Sequence, residues 1–349
     1  MELTFVSRSQ LRDREWDSEA KLWDRPKIDR ETLQELNRRS SAQGMLRLIV
    51  HAALILGTAW LTVIAWRYHL ALAVAPFLFY AFLVGFLGGI EHEMRHLIVF
   101  SRRLDWFSDA VYFLIHLLWK SGSRNQRVSH RIHHRYTMVR GVDPETNFPD
   151  VVTRRWVWKT LLVILANVLT LGIPGFFKML WDLIQRSRGR LDPLIKAHCD
   201  AADLKFIRRE SAVILVINVL ACAGLAWWQR WDLLLLLILG PQVGNAIHSF
   251  WWLTEHIGMM YNSKDQRFCT RGVKVSWFVR FLYGGLDEHV EHHLFPAVPS
   301  RNLTRLREAL DYPIPERGNV IQCWQEILAI ARHKEKQRGD EFVPRMYHV

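Results

Sequence analysis

Residues 70–96 read LALAVAPFLFYAFLVGFLGGIEHEMRH. The first 21 of them, to Ile90, carry no formal charge. As a helix rising about 1.5 Å per residue they match the roughly 30 Å hydrocarbon core of a bilayer. Immediately behind that run come His92 and His96, four apart and so on one helical face. A membrane-spanning helix that delivers paired imidazoles to the bilayer surface is the unit around which the rest of the chain is read.

Three more runs of spanning length lack formal charge, at residues 48–66, 211–228 and 233–253. The mean hydropathy of the 349 residues is only -0.01, because charge is concentrated between these runs and outside them. Such segregation excludes an ordinary soluble globule and a disordered basic protein. The runs pair into two hairpins through Arg67-Tyr68-His69 and Gln229-Arg230-Trp231-Asp232, turns too short for a domain and flanked by interfacial aromatics. The net charge of +12 is carried by Lys and Arg flanking the apolar runs, the positive-inside pattern of a membrane protein and no sign of a nucleic-acid partner.

A fifth apolar run, 157–180, is interrupted by Gly172, Pro174 and Gly175, and the following segment 178–209 holds eight basic residues against four acidic ones. This segment is expected to be interfacial or re-entrant, as is the short run 107–119. The expected fold is an all-α integral membrane protein with four transmembrane helices in two hairpins. A cytosolic helical cap, including the periodic stretches 303–310 and 320–331, carries the histidines. The domains expected are an N-terminal cytosolic arm (1–47), a membrane domain (48–310) and a cytosolic tail (311–349). The arm is charged from Glu2 onward and has no secretory signal. Four cysteines without a CxxC pair argue against a disulfide framework or a zinc ribbon. No targeting or retention sequence chooses between a plasma membrane and the endoplasmic reticulum.

Nine of the sixteen histidines form a pattern: His92 and His96, then His130, His133 and His134, then His256, then His289, His292 and His293. At this histidine frequency an HxxHH string arises by chance about 0.03 times in such a chain, yet it occurs twice. Imidazole suits first-row metals, and nine nitrogens exceed the needs of one tetrahedral zinc but suit two irons with open positions. His51, His69, His116, His198, His248, His333 and His348 are read as packing or interfacial residues, with His248 the one to test as a spare ligand.

HEMRH at 92–96 after a hydrophobic hairpin, SHRIHHRYT followed by Asp143-Pro-Glu145, TEHIG around His256, and DEHVEHHLFPAVP near the end together resemble the membrane fatty acid desaturase family. The resemblance covers about residues 48–310 by motif order and spacing. It implies a non-haem di-iron oxygenase with ligands His92, His96, His130, His133, His134, His256, His289, His292 and His293, two iron ions cycling between Fe2+ and Fe3+, and dioxygen as co-substrate. It further implies desaturation of a fatty acyl chain in a lipid or acyl thioester on the cytosolic side. The acyl-CoA branch tends to carry an asparagine four residues before the additional histidine; here Trp252 stands there, with Glu255 beside His256. No His-Pro-Gly-Gly haem signature occurs, so a separate electron donor is expected, such as a ferredoxin or a b-type cytochrome.

Three other readings remain open on the residues, one of them a histidine-rich metal carrier or degenerate scaffold that binds metal without an oxygen-dependent product. The same oxidant suits a lipid, sterol or carotenoid hydroxylase or ketolase. His92-Glu-Met-Arg-His96 also satisfies HExxH, the zinc-protease pattern, although that reading leaves both HxxHH strings unused. Around the clusters, Trp106, Trp119, Trp251, Trp252 and Tyr283 are candidate walls of an acyl tunnel. Glu91, Glu93, Glu255, Asp287, Glu288 and Glu291 are either acceptors that fix imidazole tautomers or a solvated helix face. Asp143-Pro-Glu145 is read as a turn. Arginines including Arg124, Arg127, Arg131 and Arg154 fit positive-inside bias and, more weakly, lipid phosphate or an acidic redox partner.

Overall fold

A computed structural model describes residues 3–7, 10 and 25–347. His348 and much of the arm, 11–24 included, lie outside the described residues. The chain is mostly helical: α1 (Arg30–Leu36), α2 (Ser41–Tyr68), α3 (Leu70–Arg95), α4 (Asp105–Trp119), α5 (Ser123–Arg135), α6 (Arg154–Leu169), α7 (Ile173–Ser187), α8 (Pro193–Lys196), α9 (Ala201–Trp227), α10 (Trp231–Trp252), α11 (Gln266–Cys269), α12 (Trp277–Tyr283), α13 (His289–Leu294), α14 (Leu303–Ala309) and α15 (Val320–Lys334). Short strands β1 (Thr4–Ser7), β2 (Val273–Lys274), β3 (Ile314–Pro315), β4 (Gly318–Asn319), β5 (Asp340–Val343) and β6 (Met346–Tyr347) form two-stranded pairs. β1 runs antiparallel to β5 and β3 to β6, while β2 and β4 are parallel. An all-helical expectation missed these pairs because two to four residues are too few to display alternation.

Two compact units are interleaved along the sequence. One, 40–128 with 163–249, contains the apolar helices. Four described helices are long and apolar enough to cross a membrane, including α2, α3, α9 and α10. Only 17% of the apolar window of α2 and of α9 is buried, against 50% for α3. Leu56 and Trp60 of α2 and Val219 and Leu220 of α9 are exposed. An apolar surface on that scale is a lipid-facing one, so the protein is a multi-pass membrane protein. Within this unit Ile55, Ala59 and Val63 of α2 pack on Phe77, Tyr80, Ala81 and Val84 of α3.

The approach of α3 to α10 is close enough to demand glycine. A Cβ on Gly85 would fall 2.2 Å from the Gly244 carbonyl oxygen, and one on Gly244 would fall 2.2 Å from that of Ala81. Small residues let spanning helices pack where water provides no hydrophobic drive. Pro241 lies inside α10 and has no N–H for the carbonyl four residues earlier, Leu237. The buried Lys120 ammonium donates to that carbonyl at 2.7 Å. His51 meets the Leu83 carbonyl at 2.8 Å, a polar contact between α2 and α3.

α6 and α7 meet at a bend of 97°. Leu171 and Gly172 both adopt left-handed backbone there (φ 53° and 73°), and Pro174 stands in the first turn of α7. These are the interruptions the sequence displays at 172–175. α4 has 15 residues, about 22 Å at 1.5 Å each, short of the hydrocarbon thickness.

The other unit comprises 1–39, 129–162 and 250–349. Its core joins Leu36 with Val290, Leu294, Val298, Leu303, Leu306, Leu310 and Ile314. A second cluster gathers Met138, Met259, Tyr261, Cys269, Ile330 and Phe342. The stretches read as helical at 303–310 and 320–331 are α14 and α15, and α15 starts with a capping box in which Asn319 and Gln322 satisfy each other's backbone N–H.

Candidate metal centre

Seven of the nine patterned histidines lie in this second unit, brought together from three separate stretches. α5 presents His130, His133 and His134 at i, i+3 and i+4, while Val128 and Ile132 are buried on its other side. α13 repeats the arrangement with His289, His292 and His293, and its Val290 and Leu294 enter the apolar core. With six residues α13 is too short to be stable by itself. Its acidic residues hold it: Glu291 pairs with Arg307 at 3.2 Å, Glu288 with Arg280 at 3.0 Å and Arg317 at 3.3 Å, and Asp287 with Arg280 and with Arg317 at 3.3 Å. His256 stands where a 3-10 turn, Leu253–Glu255, closes the end of α10.

The ring nitrogens face one another in two groups. Nε2 of His134 is 3.0 Å from Nε2 of His130 and 3.1 Å from Nε2 of His292. Nε2 of His289 is 3.1 Å from Nε2 of both His256 and His293. His133, His256, His289 and His293 each offer a ligand atom within 4.8 Å of the others, and all four are buried.

Hydrogen bonds on the far side of the rings decide what those Nε2 atoms are. His256 Nδ1 donates to the Cys269 carbonyl at 2.9 Å, and a carbonyl only accepts. His133 Nδ1 faces the Asp143 carboxylate at 2.9 Å, and His130 Nδ1 faces Glu145 at 3.1 Å. The Thr137 hydroxyl gives its proton to the His133 carbonyl at 2.8 Å and therefore accepts from His293 Nδ1 at 3.2 Å. With the proton on Nδ1, Nε2 of all four rings is a bare lone pair when the imidazole is neutral. Burial, with His133 adding, pushes His256 down to about 3; burial and the surrounding imidazoles push His293 well below the imidazole range. Both are then neutral, the form that binds metal.

Each of the four Nε2 contacts includes His134 or His289, which donates an N–H to its neighbours when protonated at Nε2 and, when not, aims a lone pair with theirs at one point where a cation fits. At metal–nitrogen bonds of about 2.0–2.1 Å, adjacent ligands of an octahedron are about 3 Å apart, the separation seen here. The donor set therefore fits first-row metals. His92 and His96 lie in the membrane unit at the end of α3, their ring centroids 5.3 Å apart.

Most of the remaining histidines have local structural partners. His69 caps α3, His198 meets the Leu194 carbonyl at 3.0 Å, and His333 meets Asp340 at 2.8 Å while stacking on Phe5. His116 bridges Glu91 at 3.0 Å and Ser121 at 2.6 Å. His248 is buried beside Phe86, with ring centroids 5.1 Å apart.

The carboxylates divide differently from the sequence reading. Glu91 and Glu93 bond Arg95 and Arg47, and Asp287, Glu288 and Glu291 grip arginines. All five are buried, so none is a solvated face. Asp143 and Glu145, read as a turn, are the ones that orient His133 and His130. The signal available was two acids flanking a proline within a dozen residues of HxxHH. Of the aromatic candidates, Trp106 is exposed, Trp119 donates to the Val84 carbonyl at 3.3 Å, and Trp251 lines a groove of about 510 Å³ with Val279 and Ile321. Tyr283 is bonded to Glu255, the neighbour of His256. Arg124, Arg127 and Arg154 pair with Asp203, Asp109 and Glu335.

A polytopic helical protein with histidine clusters able to hold metal is thus defined by fold and site. The sequence profile described as fatty acid desaturase matches residues 68–323, and the chain belongs to that family. It is 24% identical over 305 residues to an acyl-lipid (9-3)-desaturase from Physcomitrium patens, an alignment covering 83% of this chain and 57% of the relative. It is also 24% identical over 296 residues to a delta(8)-fatty-acid desaturase from Euglena gracilis, covering 72% of this chain and 66% of the relative. The chain therefore spans less than two thirds of the length of either relative.

Proposed function

We propose that this protein is an oxidoreductase that desaturates a fatty acyl chain, held in a lipid or an acyl thioester, in a dioxygen-dependent reaction at two irons. The ligands are His92, His96, His130, His133, His134, His256, His289, His292 and His293. The observation that carries this reading is the bare, inward-facing Nε2 set of His130, His133, His256 and His293. The name of the Physcomitrium patens relative, an acyl-lipid desaturase, favours a lipid-borne chain.

When bound, the iron pair supplies dioxygen activation strong enough to attack an unactivated methylene, chemistry that no side chain offers. The chain's own residues do the rest. Asp143, Glu145, Thr137 and the Cys269 carbonyl hold imidazoles in one tautomer and orientation. Burial of His133, His256, His289, His292 and His293 keeps water from the centre. In the membrane, α2 with α3 and α9 with α10 form two hairpins, the histidine clusters and both termini facing the cytosol. Electrons come from a separate donor, a ferredoxin or a b-type cytochrome.

The test is lipid analysis of cells expressing the wild type or His292→Ala, with iron measured on the purified protein. A new acyl double bond that needs air and is lost in the variant, with two irons per chain, is expected. A hydroxylated lipid without a new double bond overturns desaturation. One zinc with peptide cleavage dependent on Glu93 overturns the oxygenase.

A further inference from the structure

Glu255 precedes His256 in sequence but is directed by a different neighbour. One carboxylate oxygen accepts a hydrogen bond from the Tyr283 hydroxyl. The other, Oε2, lies 3.4 Å from Nε2 of His289. That nitrogen is the same atom that sits 3.1 Å from Nε2 of His256 and of His293. Both Glu255 and Tyr283 are buried, and the Glu255 backbone is fixed by the Arg271 N–H on its carbonyl at 2.7 Å. A carboxylate oxygen is thus held on the metal-facing side of His289, whereas Asp143 and Glu145 touch their imidazoles from behind, at Nδ1. Its spacing from Nε2 is near the edge of about 3 Å between adjacent ligands of one first-row metal ion.

We propose that Glu255 is an oxygen ligand of the metal held by His133, His256, His289 and His293, with the Tyr283 hydroxyl orienting it. The two metals are then unequal: one has imidazole ligands only, the other imidazoles and a hard anionic oxygen, the donor that suits the more oxidised ion. The inference rests on the reading of the histidines as a two-metal centre.

Anaerobic titration of the metal-free full-length protein with Fe2+, followed by Mössbauer spectroscopy with 57Fe, separates the two claims. The wild type is expected to bind two irons with two distinct quadrupole doublets. Glu255→Gln is expected to weaken one iron by more than about 100-fold, beyond the 10–100-fold that loss of an outer-sphere partner costs, and to leave the other unchanged. Tyr283→Phe, which keeps the carboxylate, is expected to weaken the same iron by about 10–100-fold; it decides the matter if the Gln variant fails to fold. Unchanged binding, an equal loss at both irons, or a loss of only 10–100-fold in Glu255→Gln overturns direct ligation while leaving the histidine centre standing. A wild type that binds no iron overturns both.

Discussion

Asp143 and Asp287 are both buried acids beside histidine strings, and the groups they touch separate their roles. Asp143 accepts from the Met138 N–H at 2.9 Å and the Thr146 hydroxyl at 2.5 Å and faces His133 Nδ1. Burial opposes its charge, but His133 and these donors outweigh burial and hold the carboxyl well below the usual carboxylate range. Asp143→Asn should therefore weaken iron binding by about 10–100-fold, read by anaerobic Fe2+ titration. Asp287 grips Arg280 and Arg317 and touches no patterned imidazole. Asp287→Asn should instead cost about 1–3 kcal/mol of stability, because the two partly exposed guanidinium groups lose one counter-charge while Glu288 still pairs with both. Thermal unfolding should register that loss, with two irons retained per folded chain. A third residue-scale expectation concerns thiols. Burial pushes Cys323 up to about 11 and Cys269 higher still, so at pH 8 neither is a thiolate. Iodoacetamide at that pH should leave both unmodified until the protein unfolds, as peptide mapping would show.

At the scale of elements, the membrane unit depends on two contacts between residues that no local pattern in the chain connects. Gly85 and Gly244 are 159 positions apart, yet each makes room for the other's helix. Gly244→Ala drives a methyl into the backbone of α3 and should cost at least about 1–3 kcal/mol, seen as a lower yield and melting temperature in detergent. The pairing of Lys120 with the carbonyl freed by Pro241 is as specific. Lys120→Met leaves the Leu237 carbonyl without this donor, at a cost of about 1–3 kcal/mol. Burial lowers the Lys120 ammonium from 10.5 to about 8. Between those values the unfolded chain binds the extra proton, so the stability this group contributes rises with pH. The melting-temperature gap between wild type and Lys120→Met should accordingly widen from pH 8 to pH 10. Proline and lysine were each visible in the sequence; their contact was not, because it joins residues 117 positions apart.

For the whole molecule, the unit that holds seven of the nine patterned histidines is assembled from the N-terminal segment, the middle and the last hundred residues. A metal that binds only the folded arrangement stabilises it by mass action, about 2.7 kcal/mol at 100 times the dissociation constant. Chelation of the purified protein should lower its melting temperature, and the same chelator should leave the melting temperature of His292→Ala nearly unmoved. Equal shifts in both proteins would mean that the metal contributes nothing to folding through that ligand.

Charge-free runs of spanning length, the break at 172–175 and the two HxxHH strings needed no coordinates to be found. Each is a local property: hydropathy, backbone freedom and the 3.6-residue period act within a few turns of chain. Which acids orient imidazoles and which anchor helices was decided only in three dimensions. Glu91, Glu93, Asp287, Glu288 and Glu291 adjoin histidines in sequence but point to arginines, whereas Asp143 and Glu145 reach back 10 and 15 residues to the rings they hold. On a helix, neighbours in sequence diverge by about 100°, so adjacency to a ligand places a carboxylate on another face and leaves the choice of partner to packing.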